Sequence, residues 1–181
     1  MHNHGGFDYE RMDEMRSKSI DVERIVDFAE LKADDVICDM GSGSGFYSLL
    51  FARKCKHVYA FEWNTKGNEI LERKMRENGV KNITINRENI CRTSSFPECT
   101  KVFFSNSFHD FDCREDLVEI FRNETRPDFI LIEFRKDAKM GPPVEIRISE
   151  EKLEEIFSRH GYAMKKRIEF ETNYVSYFTP S

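Results

Sequence analysis

Asp39-Met40-Gly41-Ser42-Gly43-Ser44-Gly45-Phe46 lies between an apolar run, Val36 to Met40, that predicts a strand and a segment, Phe46 to Lys54, that predicts a helix. Glycines at alternate positions permit a tight turn and let a ligand come close to the backbone. In a parallel sheet, ligands sit beyond the C-terminal strand ends where the strand order reverses, so this turn has the right address for one. Spacing narrows the choice of ligand. The dinucleotide fingerprint needs a glycine where Phe46 stands, which disfavours a nucleotide-dependent oxidoreductase. A phosphate loop needs Gly-Lys-Ser/Thr, and no lysine follows before Lys54. What remains is a carboxylate, Asp39, two residues ahead of the first of three spaced glycines. That group suits an ammonium or ribose hydroxyls and would repel a pyrophosphate.

Outward from this turn, short apolar runs alternate with helical patterns. His57 to Glu62, Ile83 to Asn86, Lys101 to Ser105 and Phe129 to Phe134 predict four further strands. Helices are expected at Asp21 to Leu31, Asn68 to Asn78 with Gly79 as C-cap, Glu115 to Arg122, and from Ser149 as N-cap to Gly161. Ala163 to Glu171 and Tyr174 to Thr179, joined around Thr172-Asn173, predict an antiparallel hairpin adding an antiparallel strand at one sheet edge. The alternation implies an α/β fold in one domain: seven strands, mostly parallel, with helices on both faces. The sixteen phenylalanines fall mostly within the strand runs and are expected in the core.

With 181 residues, 39% hydrophobic and 34% charged, the composition is that of one globular domain. A net charge of −5 disfavours nucleic acid as the partner, and no apolar run is long enough for a membrane span. Lys165-Lys166-Arg167 could serve a nucleic-acid backbone, but it also suits the protection of an edge strand. Met1 to Gly6 has neither a basic flank nor an apolar segment, so no secretory signal is expected, and the location is expected to be cytoplasmic. Five cysteines without CxxC spacing fit thiols in a reducing compartment better than a disulfide framework. His2 and His4 have no ligand cluster beside them, so no metal is expected.

In Asp39 to Gly45, the acid in Phe61-Glu62-Trp63 and the strand–helix alternation, the chain resembles the class I S-adenosylmethionine-dependent methyltransferases over nearly its whole length. That resemblance implies a Rossmann-like fold and S-adenosylmethionine as cofactor. Gly41, Ser42, Gly43 and Gly45 would line its methionine part, with Asp39 helping to hold the amino-acid moiety. Glu62 would bind both ribose hydroxyls, and Trp63 would either pack on the adenine face or serve as ordinary packing. After the third strand, Asn89, followed by Ile90, stands where the family often has an adenine-binding Asp, with Glu88 as competitor.

Ser105-Asn106-Ser107-Phe108 would face the sulfonium, and it lacks the prolines of many nitrogen methyltransferases. Phe108-His109-Asp110 is more similar to the type 11 branch, which includes ubiquinone/menaquinone C-methyltransferases. His109 is then either a general base or a residue that shapes the pocket. Residues 1–20 would form an N-terminal lid on a domain of residues 21–181, with Tyr9 and Arg16 as contacts; Lys139 to Val144 would border the substrate mouth or form a structural turn. The expected function is methyl transfer to a small-molecule acceptor. Alternatives are a protein or RNA methyltransferase and a non-catalytic cofactor-binding module. A pocket completed by a second copy, as a homo-oligomer, is compatible with this reading.

Overall fold

The computed structural model describes residues 8–19 and 21–181, so His2 and His4 lie outside the described residues. Seven strands form one sheet: β1 (Val36–Met40), β2 (His57–Phe61), β3 (Ile83–Asn86), β4 (Lys101–Ser105), β5 (Asp128–Phe134), β6 (Tyr162–Glu169) and β7 (Asn173–Pro180). Their order is β3-β2-β1-β4-β5-β7-β6, with β7 antiparallel to both its neighbours and the other pairings parallel. The hairpin thus inserts its second strand between β5 and the edge strand β6. A sequence-level reading places the hairpin at an edge but cannot order its two strands.

The strand order reverses between β1 and β4, and the C-terminal ends of these strands part there to make a crevice. Among the described residues six α-helices complete the fold: α1 (Tyr9–Ser19), α2 (Val22–Phe28), α3 (Phe46–Phe51), α4 (Thr65–Asn78), α5 (Arg114–Glu124) and α6 (Glu150–Arg159). Capping sets several boundaries. Asp21 accepts the Arg24 N–H, Asn64 the Lys66 N–H and Ser149 the Lys152 N–H, each supplying an orphan amide with an acceptor. Gly79, at φ 65°, ends α4. Capped by Asn64, α4 starts at Thr65, three residues before the expected Asn68, and α3 stops at Phe51 rather than Lys54.

Alternation along the central strands feeds two cores. Cys38, Met40, Val102, Phe104, Phe129 and Leu131 pack with Leu117, Phe121, Ile156 and Phe157 from α5 and α6. Ile37, Phe103, Ile130 and Ile132 face the other way, against Ile25, Phe28, Tyr47, Phe51 and Leu71 from α2, α3 and α4. The phenylalanines supply much of both layers; Phe103, for example, meets Phe51 edge-on at 4.7 Å.

The expectation of thiols throughout is corrected at one place. Cys91 and Cys113 form a disulfide that ties the turn after β3 to the start of α5, while Cys38, Cys55 and Cys99 are buried free thiols. A separation of 22 residues with no motif gives no sequence signal for that bond. Cys91→Ser is expected to lower unfolding free energy by about 3 kcal/mol, read by denaturant titration of oxidised protein, because the open chain regains the entropy of the loop. An equal midpoint in both proteins would contradict this.

Candidate functional site

The crevice holds a cavity of about 590 Å³ bounded by the β1–α3 turn, the segment after β4, the α1 helix and the loop after β5. A second cavity of about 160 Å³ adjoins it across Gly41, Glu62, Trp63, Asp110 and Phe111. The turn is built to leave this space open. Gly41 has φ 74°, and a side chain there would come within 2.9 Å of Ser107 Cβ. Gly43 and Ser42 line the larger cavity, and the Ser42 hydroxyl is buried without a hydrogen-bond partner among the described residues. Gly45 departs from its expected lining role. It turns toward α4, where any side chain would overlap Leu71, so its task is helix–turn packing.

Asp39 is buried at the end of β1, and its carboxylate accepts the Ser48 hydroxyl at 2.5 Å. Burial raises its pKa to about 6, against the lowering effects of the Ser48 hydrogen bond and the Arg16 guanidinium. Glu62 closes β2. Its two carboxylate oxygens accept the Gly43 N–H at 2.9 Å and the Asn64 N–H at 2.7 Å, which fixes the turn against the neighbouring strand.

Trp63 is half exposed and borders both cavities, so it is not core packing. Glu88, Asn89 and Ile90 line the smaller cavity together with the Cys91–Cys113 bond. The Asn89 side-chain oxygen accepts the Cys91 N–H at 3.0 Å and caps the short 3-10 turn there.

Ser105 and Asn106 stand at the end of β4 on the larger cavity. Asn106 adopts φ 53° and accepts from the Asn173 amide at 2.8 Å. His109 lies three residues further on, in the short 3-10 turn Phe108–Asp110, buried, with Nδ1 2.6 Å from Glu133 Oε2. Burial by itself pushes the imidazole pKa down. The hydrogen bond and charge of Glu133, with Asp110, outweigh that effect against Arg114, and the net pKa lies above the ordinary value.

From α1, Tyr9, Met12, Asp13, Met15 and Arg16 face the larger cavity. Asp13 anchors the helix, accepting from Ser44 at 2.6 Å and from Lys74 at 2.7 Å. Arg16 stacks 5.5 Å from the Phe46 ring centroid and 5.6 Å from that of Tyr47. Met140 to Pro143 line the opposite side, as does Phe134. Sequence reasoning misses Asp13, Tyr47, Phe134, Asn173 and Glu133. Glu133 is the one acid inside the apolar run Phe129 to Phe134.

These residues fit S-adenosylmethionine. Asp39 matches an ammonium, Arg16 a carboxylate and Glu62 a ribose diol, and the partnerless Ser42 hydroxyl awaits a polar group.

A family model described as ribosomal RNA adenine dimethylase matches residues 17–126. An uncharacterized protein of Methanocaldococcus jannaschii is 28% identical over 83% of the chain and 54% of its own length. A probable cobalt-precorrin-6B C(15)-methyltransferase of the same organism is 34% identical over 30% of each chain. The chain therefore spans about half the length of the first of these relatives and under a third of the second. Among solved structures, a SAM-dependent methyltransferase from Aquifex aeolicus superposes with TM-score 0.81 at 20% identity, covering 97% of this chain and 100% of that one. A protein assigned to the type 11 methyltransferases, from Sulfolobus solfataricus, gives TM-score 0.74 at 21% identity over 90% and 93%. At such identities the likeness is one of fold.

The fold is that of the class I S-adenosylmethionine-dependent methyltransferases. The chain belongs to the ribosomal RNA adenine dimethylase family. Among the described residues no helix is long and apolar enough to cross a membrane.

Proposed function

We propose that the protein transfers the methyl group of S-adenosylmethionine to a small-molecule acceptor enclosed between α1 and the loop after β5. The observation that carries this reading is the extent of the larger cavity. Beyond the glycine turn it continues among Phe111, Phe134, Met140, Pro142, Pro143 and Ile146, in the size range of small-molecule sites. The family match ends at residue 126, before β5, so of these acceptor-side walls it covers only Phe111.

In this reading the smaller cavity takes the adenine beside Trp63 and Ile90, Glu62 takes the ribose, and Asp39 and Arg16 take the amino-acid end. Bound there, the donor supplies an electrophilic methyl carbon on a positively charged sulfur. The chain's part is to align acceptor and methyl, which orientation alone accelerates greatly. Residues 8–19 serve as the lid, held by Asp13 and by Glu10 on Arg73 at 2.6 Å, and exclude water. The type 11 likeness of Phe108-His109-Asp110 belongs to the same proposal.

The family description favours a second reading, methylation of RNA adenine. The charge distribution speaks against it. Lys165 and Lys166 each pair with Glu30 at 2.6 Å, and Arg167 pairs with Glu150 and Glu169, so every cation of the basic triplet on β6 is engaged within the chain. Incubation with methyl-labelled donor, a small-metabolite extract and ribosomal RNA tests the two readings. Label is expected in the metabolite fraction; label confined to RNA would overturn the small-molecule acceptor.

Donor binding should also depend on pH. With the Asp39 pKa at about 6, its ionised, ammonium-binding form is lost as pH falls through that value. Affinity for S-adenosylhomocysteine is expected to rise about tenfold between about pH 5 and about pH 8, and Asp39→Asn should flatten that rise. The stability contribution of this group has the opposite sign. Its raised folded pKa stabilises the fold below the ordinary carboxylate range, and that contribution disappears as pH rises through about 6. A pH-independent calorimetric affinity would remove Asp39 from the ammonium site.

A further inference from the structure

We infer that Glu133 and His109 act as a coupled proton acceptor beside the acceptor space, and that the acceptor is a compact, largely apolar molecule methylated at a hydroxyl oxygen. This deepens the methyl-donor reading above and rests on it.

Glu133 is fully buried in β5, a strand otherwise apolar from Phe129 to Phe134. A carboxylate in such a place is costly unless it is fully hydrogen-bonded. Here Oε1 accepts the backbone N–H groups of Phe108 at 3.1 Å and His109 at 3.4 Å, while Oε2 accepts the His109 Nδ1–H at 2.6 Å. Three donors from one short turn therefore converge on a single buried anion. The two backbone bonds fix the turn, and the third fixes the imidazole tautomer and leaves Nε2 as the basic nitrogen.

His109 lines the larger cavity together with Asp110, whose Oδ1 is 3.6 Å from Nε2. The charged groups around the ring are Glu133 from β5, Asp110 from its own turn and Arg114 from α5; Phe134 offers an edge at 6.5 Å. The walls nearby are apolar: Phe111, Phe134, Pro142, Pro143 and Ile146.

The chemistry separates acceptor classes. A neutral amine can take a methyl group first and release its proton to water afterwards. A hydroxyl is a weak nucleophile until its proton is being removed, and so it needs a base at hand. In the step proposed, the acceptor O–H proton passes to His109 Nε2 as the oxygen bonds the methyl carbon. The carbon–sulfur bond breaks with its electron pair on sulfur, and the imidazolium, stabilised by Glu133, then returns the proton to water. His109 is the catalytic residue in this scheme and Glu133 the positioning residue.

Three measurements on the full chain test the pair. First, calorimetry with S-adenosylhomocysteine is expected to give the same affinity for wild type, His109→Gln and Glu133→Gln. Absence of binding by wild type would overturn the donor reading and this inference with it, whereas the results that follow overturn the inference alone. Second, NMR titration of the His109 ring in the S-adenosylhomocysteine complex should show its proton affinity reduced about tenfold in Glu133→Gln. An unmoved midpoint overturns the coupling.

Third, labelled methyl transfer is measured to phenol, catechol and a naphthol, and in parallel to adenosine and an adenine-containing oligoribonucleotide. Label is expected on a hydroxyl compound. Both Gln variants should lower kcat about a hundredfold with acceptor KM unchanged, and the acidic limb of the kcat profile should move to lower pH in Glu133→Gln. Glu133→Asp should recover part of the rate. Label on nitrogen acceptors only, or on none of the panel, overturns the hydroxyl assignment.

Discussion

Glu62→Ala is expected to weaken S-adenosylhomocysteine binding about a hundredfold in calorimetric titration, since hydrogen bonds to a charged group contribute about 1.5–3 kcal/mol each. Two losses combine. The carboxylate is the proposed acceptor for a ribose diol, and it is also the brace that takes the Gly43 and Asn64 amides at 2.9 and 2.7 Å. Removing it withdraws the ligand contact and one tie between the glycine turn and the end of β2, while the Gly41 and Ser42 amides still donate to the Phe61 carbonyl. Far-UV circular dichroism and the thermal midpoint of the free protein distinguish this from simple unfolding. An unchanged affinity in a folded variant would place the ribose elsewhere and break the link between the turn and the second strand.

The second large effect lies at the opposite end of the sheet and concerns stability. Lys101, in the first position of β4, is buried among acids: Nζ is 3.5 Å from Asp128 Oδ2 and 4.0 Å from Asp35 Oδ2, and it donates to the Tyr177 hydroxyl at 2.7 Å. Tyr177 in turn donates to Asp128 at 2.7 Å, and Thr100 donates to Asp35 at 2.7 Å. The lysine is thus the cation at the centre of a small buried network spanning β4, β5 and β7. Lys101→Met keeps most of the volume and removes the charge, leaving two carboxylates without their shared partner. Breaking such a pair on one side costs about 3 kcal/mol or more, far above the value of an exposed ion pair. Denaturant unfolding reads this loss directly. A variant as stable as wild type would show that Asp35 and Asp128 are compensated by their other donors, Thr100 and the Lys32 N–H for Asp35 and Tyr177 for Asp128.

What could be read from the sequence follows from which forces act locally. The strand–helix alternation, the caps at Gly79 and Ser149, and the turn at Asp39 to Gly45 are local features, and the structure has them where the pattern puts them. The helix ends differ by a few residues, because Asn64 caps α4 earlier than the apolar spacing suggests. The position of β7 between β5 and β6 depends on packing across the whole sheet, to which hairpin patterning is blind. The same holds for the Cys91–Cys113 bond, which joins two loops brought together only by the parallel sheet.

At the site, residues within or next to the turn were legible because their spacing is their signal. Asp39, Gly41, Ser42, Gly43, Glu62 and Trp63 come together around one crevice, and Glu88, Asn89 and Ile90 border its smaller chamber. Gly45 faces Leu71 on α4 rather than the larger cavity, a placement that alternate glycines, alike in sequence, do not reveal. α1 has little apolar periodicity and is held by polar contacts of Asp13 and Glu10 with distant residues, so its helix was not expected. Glu133 was hidden by its neighbours: a single acid in an apolar strand gives no direction until the turn carrying His109 is folded onto it.

The central claim is that the glycine turn and Glu62 hold opposite parts of one S-adenosyl nucleoside. A crystal structure of the protein grown with S-adenosylhomocysteine tests it most directly. The account predicts the ribose hydroxyls on the Glu62 carboxylate, the adenine beside Trp63 and Ile90, and the amino-acid end between Asp39 and Arg16. Nucleoside density anywhere else, or a Glu62 carboxylate that touches only the Gly43 and Asn64 amides in the complex, would contradict it.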